Sequence, residues 1–311
     1  MNKISIIGAG MTGATTAHWL AERELADLVL VDVVEGLPQG KGLDLLEAMP
    51  VIGRDVNIVG SNDYSATHDS DIIIITAGLA RKPGMSRDDL LKTNAEIVGT
   101  AATETLKHSP NAIYIILTNP LDTMAYLAMK KTGLSRERVI GQAGILDSAR
   151  MRAFVAMETG VSVENIDCYV LGGHGDEMVP LTRHSNVAGV PLNEYLAADK
   201  LDAIVARTRK GGGEIVNLLK TGSAFYAPAA ACAQMAEAIL KNKHLIVPCA
   251  AYMNGEYGLH DMYFGVPVML GRSGMERIVE YKLDDDEKAM FDKSALAVKE
   301  THEALKSLVK I

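Results

Sequence analysis

The sequence contains little cysteine: its 311 residues include three, and no two of them form a CxxC pair. They are widely separated, at Cys168, Cys232 and Cys249. Such spacing provides neither the ligands of a metal centre nor the pairs of a disulfide framework, and it is typical of buried thiols in a reducing compartment. We therefore expect no metal site and a cytoplasmic location.

Basic charge and long apolar runs are also scarce. Lys and Arg number 31 against 39 Asp and Glu, a formal net charge of −8, which argues against general binding to nucleic acid or to an anionic membrane. No apolar run approaches the roughly 20 residues that a membrane-spanning helix needs. Because a strand pattern begins at Ile4, we expect no signal peptide either. The remaining composition, 48% hydrophobic and 23% charged, is that of an ordinary globular protein.

The first half of the sequence alternates short apolar runs with helical patterns. The run from Ile72 to Ile75 is isoleucine alone, without the polar alternation of a half-exposed strand, which indicates a strand covered on both faces. A repeated βαβ succession predicts a parallel sheet with helices on both sides. The predicted strands are residues 4–7, 28–31, 56–59, 71–76, 113–117 and 139–140. The predicted helices are residues 11–22, 40–49, 88–107 and a segment that passes through 126.

The pattern changes near residue 143. We predict an α/β fold of two domains: an N-terminal doubly wound parallel sheet (residues 1–143) and a C-terminal α+β substrate domain (residues 144–311). Residues 245–254 and 266–270 are expected to form a smaller sheet in the second domain. An active site between the domains is expected, because ligand sites occur preferentially at domain interfaces. The predicted helices of the second half are residues 147–159, 201–220, 228–241 and 285–310.

A glycine-rich turn follows the first predicted strand and leads into the first predicted helix. It matches the pattern G-x-G-x-x-G, with Gly8, Ala9, Gly10, Met11, Thr12 and Gly13. The first glycine permits the turn, the second admits a pyrophosphate, and the third lets helix and strand pack closely. A glycine turn alone could also be purely structural. However, Asp32 lies 19 residues beyond Gly13, where a carboxylate accepts both ribose hydroxyls and repels a 2′-phosphate. The sequence therefore predicts a Rossmann domain that binds NAD rather than NADP.

Among the eight histidines, His174 is the candidate for acid–base chemistry. It lies in the segment Leu171-Gly172-Gly173-His174-Gly175-Asp176, in which we find no packing reason for the glycines. Glycines allow cofactor and substrate to approach closely, and an imidazole that titrates near neutrality suits proton exchange with a substrate hydroxyl. The ordinary alternative is a histidine that only completes a core or a surface.

A second candidate pair is Asp147 and Arg150, which are three residues apart and therefore project from one face of a predicted helix. The structural interpretation is an N-cap Asp with an intrahelical ion pair, which contributes a few tenths of a kcal/mol. The functional interpretation gives them separate duties. Asp147 would orient an imidazole, and Arg150 would hold a carboxylate with its planar guanidinium.

A third candidate segment runs from Arg81 to Arg87, after the fourth predicted strand. It could be a solvated basic loop. However, it lies at the carboxyl end of a parallel strand, where ligands of open α/β sheets bind. Its Pro83 and Gly84 between two arginines suit a lid that closes over an anion and excludes water. Asn119, at the end of the fifth predicted strand, adds a polar group at the same edge.

Taken together, these segments resemble the lactate/malate dehydrogenase family, and the resemblance covers essentially the whole chain. Their order along the chain is that of the family, and they are most similar to its lactate-dehydrogenase-like bacterial malate enzymes. The segments are Gly8 to Gly13, Ala77-Gly78, the 81–87 loop, Thr118-Asn119-Pro120, Leu146 to Arg150 and Gly172 to Gly175.

The resemblance implies a role for each candidate residue. His174 would be the acid–base catalyst, and Asp147 would stabilise its imidazolium form. Arg150 would bind the C1 carboxylate of the substrate, while Arg87 would polarise its carbonyl. Further contacts with substrate or NAD are implied for Asn94, Leu117, Thr118 and Asn119.

The choice of substrate depends on Arg81. In lactate dehydrogenases the matching position is Gln, whereas a malate enzyme needs a cation for the second carboxylate of oxaloacetate. A charge-assisted pair contributes about 1.5–3 kcal/mol. A small residue at Ser223 or Ala224, in a register that the sequence leaves open, would leave room for the longer acid. We therefore expect reversible oxidation of (S)-malate to oxaloacetate, with NAD as the cofactor.

Three alternatives remain at this point. Lactate dehydrogenase activity is the nearest, and Arg81 discriminates against it. A non-catalytic dinucleotide-binding protein would not need His174, Asp147, Arg150 and Arg87 together. An NAD-using glycosidase would need a metal-binding constellation of cysteine and histidine, which is not apparent. Long apolar-faced helices further suggest a homo-oligomer, and the resemblance to lactate-dehydrogenase-like enzymes implies a tetramer rather than a dimer.

Overall fold

A computed structural model describes residues 2–79 and 86–310 of the chain. Up to residue 159 strands and α-helices alternate, except that the third and fourth strands are connected by a short 3₁₀ turn at Tyr64–Thr67. The strands are β1 (Lys3–Ile7), β2 (Asp27–Val31), β3 (Ile58–Ser61), β4 (Ile72–Ile75), β5 (Ile113–Ile116) and β6 (Val139–Gly141). The helices are α1 (Met11–Glu22), α2 (Leu37–Val51), α3 (Arg87–His108), α4 (Leu121–Thr132) and α5 (Gly144–Thr159).

The rest of the chain contains shorter strands, one long hairpin and three long helices. Its strands are β7 (Ile166–Asp167), β8 (Val170–Leu171), β9 (Val179–Pro180), β10 (Asn186–Val187), β11 (Val190–Pro191), β12 (Leu245–Asn254), β13 (His260–Gly271) and β14 (Gly274–Ile278). Its helices are α6 (Leu192–Tyr195), α7 (Ala198–Leu219), α8 (Tyr226–Leu240) and α9 (Asp285–Leu308).

The six strands of the first half form a parallel sheet in the order β3-β2-β1-β4-β5-β6. The sequence explains its centre, because the four isoleucines of β4 have no exposed surface at all. Ile72 and Ile74 pack into a core that includes residues of α1 and α8. Ile73 and Ile75 pack into a second core, with α3 and α4. The predicted doubly wound parallel sheet is confirmed.

The long hairpin of β12 and β13 corrects one prediction. We expected these segments in a smaller sheet, but β12 pairs with β6 at Ala250 and Gly141, so that β12, β13 and β14 extend the central sheet to nine strands. Side chains of β13 are buried on both faces, with Phe264 in one core and Tyr263 in the other. A strand that is apolar on both faces needs cover on both sides, and in the central sheet α8 provides it in the first core and α4 in the second.

Helix and strand boundaries differ from the predictions by a few residues. The helix predicted over 147–159 begins three residues earlier, at Gly144, because Ala143 is its N-cap residue. Asp147 therefore lies inside the first turn, and the interpretation of Asp147 as an N-cap is wrong. The third strand also lies two residues later than predicted, at Ile58–Ser61.

Further observations concern membrane-spanning helices, metal sites and the cysteines. Within residues 2–79 and 86–310, no helix has the length and apolarity required to cross a membrane. The same part of the chain contains no cluster of three or more His, Cys, Asp or Glu side chains arranged to hold a metal ion. All three cysteines are buried, and burial raises the pKa of the Cys168 thiol to about 12.

Candidate active site

The glycine turn connects β1 to α1 at the carboxyl edge of the sheet, and its three glycines have different packing. Gly8 has a φ of +104°, and a Cβ on Gly13 would lie 1.8 Å from the carbonyl oxygen of Gly8. These two positions therefore need glycine for the fold itself. A Cβ on Gly10 would meet no atom within 4 Å. Gly10 is thus the glycine whose open side can receive a ligand.

Asp32 follows β2 and faces the same turn. Its carboxylate accepts hydrogen bonds from the backbone N–H groups of Ala9 (2.7 Å) and Val34 (3.0 Å). The acid therefore braces the glycine turn, in addition to lining a cavity of about 940 Å³ beside it. Other predicted cofactor residues on the wall of this cavity are Gly8, Gly10, Met11, Thr12 and Gly13. This shape, with a carboxylate beside an open helix N-terminus, fits the adenosine half of a dinucleotide.

A second cavity, of about 1180 Å³, adjoins the first, and both are lined by Thr12 and Thr76. It contains several of the residues predicted from the ends of the strands. Leu117, Thr118 and Asn119 lie on its wall, with His174 and Arg150. The structure therefore brings together residues that are far apart in the sequence, because parallel strands place their carboxyl ends at one edge.

Asn94 differs from the other predicted cofactor residues, because its side-chain amide is buried and engaged with backbone. It accepts from the N–H of Leu79 (2.8 Å) and donates to the carbonyl oxygens of Leu79 (3.1 Å) and Asn119 (2.7 Å). In this conformation Asn94 ties together the two loops that line the large cavity. Any effect of Asn94 on a ligand would pass through those loops.

His174, Asp147 and Arg150 form one hydrogen-bonded chain on the floor of the large cavity. Nδ1 of His174 lies 2.7 Å from Oδ2 of Asp147, and a guanidinium nitrogen of Arg150 lies 2.9 Å from Oδ1 of the same carboxylate. Burial opposes protonation of the imidazole, but the charge and hydrogen bond of Asp147 outweigh it and raise the pKa of His174. The arrangement therefore favours an imidazolium that is held in one orientation.

Arg150 reaches the cavity across the middle of α7, where three glycines follow one another. A Cβ on Gly211 would lie 3.1 Å from Cδ of Arg150, whereas a Cβ on Gly213 would meet nothing within 4 Å. Nε of Arg150 is buried and has no hydrogen-bond partner among the residues that the structure describes. A buried guanidinium with a donor to spare is suited to binding a carboxylate.

Of the two arginines in the predicted lid, the structure describes one. Arg81 lies in residues 80–85, outside the described residues. Arg87 is the first residue of α3, next to Ser86, whose side chain caps the helix. Arg87 lines a third cavity, of about 670 Å³, that also reaches His174. Arg87 therefore shares a cavity with His174, but it is not on the wall of the large cavity that contains Arg150.

Ser223 and Ala224 both line the large cavity, so the structure admits either as a neighbour of the ligand. Ser223 is exposed and Ala224 is half-buried.

The glycines before His174 have a packing role that sequence reasoning missed. A Cβ on Gly173 would lie 2.3 Å from Cγ2 of Val298, and one on Gly172 would lie 2.8 Å from Oγ of Ser294. Both glycines therefore let α9 pack against this loop, and only Gly175 has open space around it. The signal was not available from local sequence, since Ser294 and Val298 are more than a hundred residues away.

Asp122 was also missed. It lies in the first turn of α4, where an acid is favoured by the helix dipole and attracts no attention in a sequence. In the structure it is buried, and Oδ2 accepts a hydrogen bond from the backbone N–H of His174 (2.9 Å). Burial raises the pKa of Asp122 to about 6, although contacts with His174 oppose the rise.

The sequence matches two family models that together cover nearly the whole chain. Residues 2–141 match "lactate/malate dehydrogenase, NAD binding domain", and residues 145–309 match "lactate/malate dehydrogenase, alpha/beta C-terminal domain". The malate dehydrogenase of Roseiflexus sp. (strain RS-1) is 59% identical over 306 residues, which are 98% of this chain and 99% of that protein. The malate dehydrogenase of Bacillus cytotoxicus is 56% identical over 305 residues, 97% of this chain and 98% of that protein.

Solved structures agree with this similarity. The malate dehydrogenase of Picrophilus torridus in its apo form has a TM-score of 0.96 and 46% identity, over 99% of this chain and 98% of that chain. The lactate dehydrogenase of Cryptosporidium parvum, complexed with lactic acid and nicotinamide adenine dinucleotide, has a TM-score of 0.95 and 41% identity, over 98% of each chain.

Proposed function

The chain belongs to the lactate/malate dehydrogenase family, and from that premise we propose that it catalyses the reversible oxidation of (S)-malate to oxaloacetate with NAD. The observation that carries the proposal is the contact of one buried carboxylate, Asp147, with both His174 and Arg150. It joins a proton acceptor to a carboxylate-binding group in one cavity. Relatives that are 55–59% identical over nearly their full length and are named malate dehydrogenase support the choice of substrate.

In this proposal His174 carries the proton. Because Nδ1 is bonded to Asp147, the other ring nitrogen, Nε2, is the atom left to accept a proton from the substrate hydroxyl during malate oxidation. In the reverse direction His174 must begin as the imidazolium and return that proton. Asp147 stabilises the charged ring in both directions and holds its orientation.

Arg150 is proposed to bind the C1 carboxylate, and Arg81 to bind the C4 carboxylate that lactate lacks. An enclosed carboxylate without a partner would cost about 3–5 kcal/mol, so a cation at position 81 can decide between oxaloacetate and pyruvate. Arg87 is proposed to polarise the carbonyl once the loop closes, and Asn119 to donate a hydrogen bond to the substrate.

The residues around the glycine turn fit NAD. The open side of Gly10 admits the pyrophosphate, and Asp32 faces the cavity where the adenosine ribose would lie. The remaining residues proposed to hold the cofactor are Gly8, Ala9, Met11, Thr12, Gly13, Leu117, Thr118 and Asn119, and Asn94 is proposed to contribute through the loops that it ties together. When bound, NAD supplies the acceptor for the hydride that leaves malate.

Residues 1–143 are proposed as the cofactor domain and residues 144–311 as the substrate domain. The two family matches span residues 2–141 and 145–309, and this supports a division near residue 143. We further propose that the protein acts in the cytoplasm, in the tricarboxylic acid cycle.

A homo-oligomer, and a tetramer rather than a dimer, completes the proposal. In the single chain α2 presents Leu43 (56% exposed) and Leu46 (38% exposed) one helical turn apart, and α7 ends with Leu218 (74% exposed) and Leu219 (47% exposed). Apolar side chains grouped in this way favour burial against another subunit. Light scattering after gel filtration tests the proposal: a tetramer supports it, as does its loss in Leu43→Glu, whereas a dimeric wild type overturns the tetramer and a monomeric one overturns the oligomer.

The experiment that tests the activity compares NADH oxidation with oxaloacetate and with pyruvate. We expect the wild type to prefer oxaloacetate, and Arg81→Gln to lose that preference by a factor of about ten or more, as the loss of a charge-assisted pair implies. Arg54→Gln is the control, because Arg54 pairs with Glu24 on the surface. A wild-type preference for pyruvate would overturn the malate assignment in favour of lactate.

A further inference from the structure

His174 has a second carboxylate beside it, which contacts its backbone, whereas Asp147 contacts its ring. Asp122 of α4 is 6% exposed, and its Oδ2 accepts the backbone N–H of His174 at 2.9 Å. The two residues are 52 positions apart in the chain. Oδ1 of Asp122 is also buried and meets no hydrogen-bond donor in the described part of the chain. A half-satisfied buried carboxylate is costly, and such groups are retained mainly where function uses them.

The backbone of the loop that carries His174 is hydrogen-bonded to side chains from two helices, α4 and α9. The N–H of Gly173 donates to Oγ of Ser294 on α9 (3.0 Å), next to the bond from His174 to Asp122. His302, also on α9, lies with Nε2 at 3.3 Å from the carbonyl oxygen of Asp122. Ser294 is a neutral anchor and Asp122 is an ionisable one, so their contributions can be separated by substitution.

The two carboxylates next to His174 have different partners. Asp147 is shared between His174 and the guanidinium of Arg150. Asp122 forms no ion pair with a lysine or arginine among residues 2–79 and 86–310. Within the described residues, the cation in closest electrostatic contact with Asp122 is therefore a protonated His174, whose charge lowers the pKa of Asp122.

Other charged groups lie around this pair. Those of α7, which line the large cavity with His174, are Arg207, Arg209, Lys210 and Glu214. Asp147 and Arg150 lie on α5, and His302 lies on α9. Burial lowers the pKa of His302 to about 4, so that this imidazole is neutral at pH 7. Charged residues that line the neighbouring cavity are Arg87, Asp88, Asp176, Glu177 and Glu300.

We infer that Asp122 is a positioning residue for His174: it anchors the backbone of His174 so that the imidazole meets Asp147, and its negative charge stabilises the imidazolium. The inference rests on the proposed function for the step that uses this proton. Asp122 titrates within the working range, since burial raises its pKa to about 6. Above that pH the carboxylate is charged and favours protonation of His174, and below it this support is lost.

The decisive variant is Asp122→Asn, because the amide oxygen can still accept the N–H of His174 while the charge is removed. We follow kcat/KM for oxaloacetate reduction from pH 5.5 to 10, where activity falls as His174 loses its proton. The inference predicts that this fall moves to lower pH by about half a unit or more. Ser294→Ala, which removes the neutral anchor, is expected to reduce kcat without moving the fall.

An unchanged pH profile in Asp122→Asn overturns the inference. So does an equal displacement in Ser294→Ala, which would assign the effect to loop geometry instead of charge. Should Asp122→Asn not fold, the wild type provides the test through ¹⁵N NMR of the His174 ring. Two inflections, one near pH 6 from Asp122 and one from His174, support the inference, and a single inflection contradicts it. This measurement needs no substrate, so its failure is distinguishable from failure of the proposed function.

Discussion

Oδ2 of Asp147 lies 2.7 Å from Nδ1 of His174, and the carboxyl group is almost completely buried, with 1% of its side chain exposed. Water cannot replace this contact, and the dielectric around it is low, so the ion pair that forms when His174 is protonated is strongly favoured. The pKa of His174 is raised accordingly, against the effect of burial.

The first prediction concerns pH. Because the pKa of His174 is raised above 6.5, oxaloacetate reduction should persist to a higher pH than an ordinary histidine would allow and fall as pH rises through that raised value, while malate oxidation should increase. Asp147→Asn should lower kcat by two orders of magnitude or more (about 10²–10⁴, as for a lost proton-transfer partner) and move the fall to lower pH. Steady-state rates measured across pH test this. Asp167→Asn, an exposed acid, is the control, and an equal shift in both variants would contradict the role of Asp147.

The second prediction separates the glycines of the cofactor turn. Gly13→Ala should destabilise the fold, because its Cβ would overlap the carbonyl oxygen of Gly8. Gly10→Ala should fold with a nearly unchanged midpoint of thermal unfolding and bind NADH at least tenfold more weakly, at a cost of about 1.4 kcal/mol. Thermal unfolding and fluorescence titration with NADH measure the two effects. Equal loss of stability in both variants would be inconsistent with an open side at Gly10.

The third prediction concerns Arg150 and α7. Alanine in place of a mid-helix glycine normally stabilises a helix by about 0.5–1 kcal/mol. Gly213→Ala should show that gain, since a Cβ there meets nothing. Gly211→Ala should show a smaller gain in stability, because its Cβ would press on the aliphatic part of the Arg150 side chain. For the same reason it should raise KM for oxaloacetate more than Gly213→Ala does. Chemical denaturation and steady-state kinetics of both variants provide the comparison; matching KM values would rule out this role for Gly211.

The fourth prediction concerns acid stability. Burial lowers the pKa of His302 to about 4, so between pH 6.5 and 4 the unfolded chain takes up a proton that the folded protein does not. This linkage removes on the order of 3 kcal/mol of stability as the pH falls through that window, and nothing above it. His302→Gln should therefore lose less stability than the wild type between pH 7 and pH 4.5. Urea unfolding at both pH values measures the difference, and identical losses would contradict the prediction.

Much of the fold could be predicted from local patterns. The first helix was predicted at its observed bounds, Met11–Glu22, because a glycine turn precedes it and its apolar spacing is regular. The burial of Ile72 to Ile75 on both faces followed from the absence of polar alternation. The pairing of β12 with β6 was not predictable, because it is a contact between Ala250 and Gly141, two small residues without a distinctive pattern.

The sequence by itself determined the strand–turn–helix unit at Gly8 to Gly13, the acid at the end of the second strand, and the order of segments that places the chain in its family. These are properties of neighbouring residues, which set backbone conformation and periodicity. Only the tertiary structure decided that Gly173 needs to be glycine because of Val298, and that Asp122 lies against the backbone of His174. Burial and electrostatic environment depend on residues far apart in the chain, so no local pattern could reveal them.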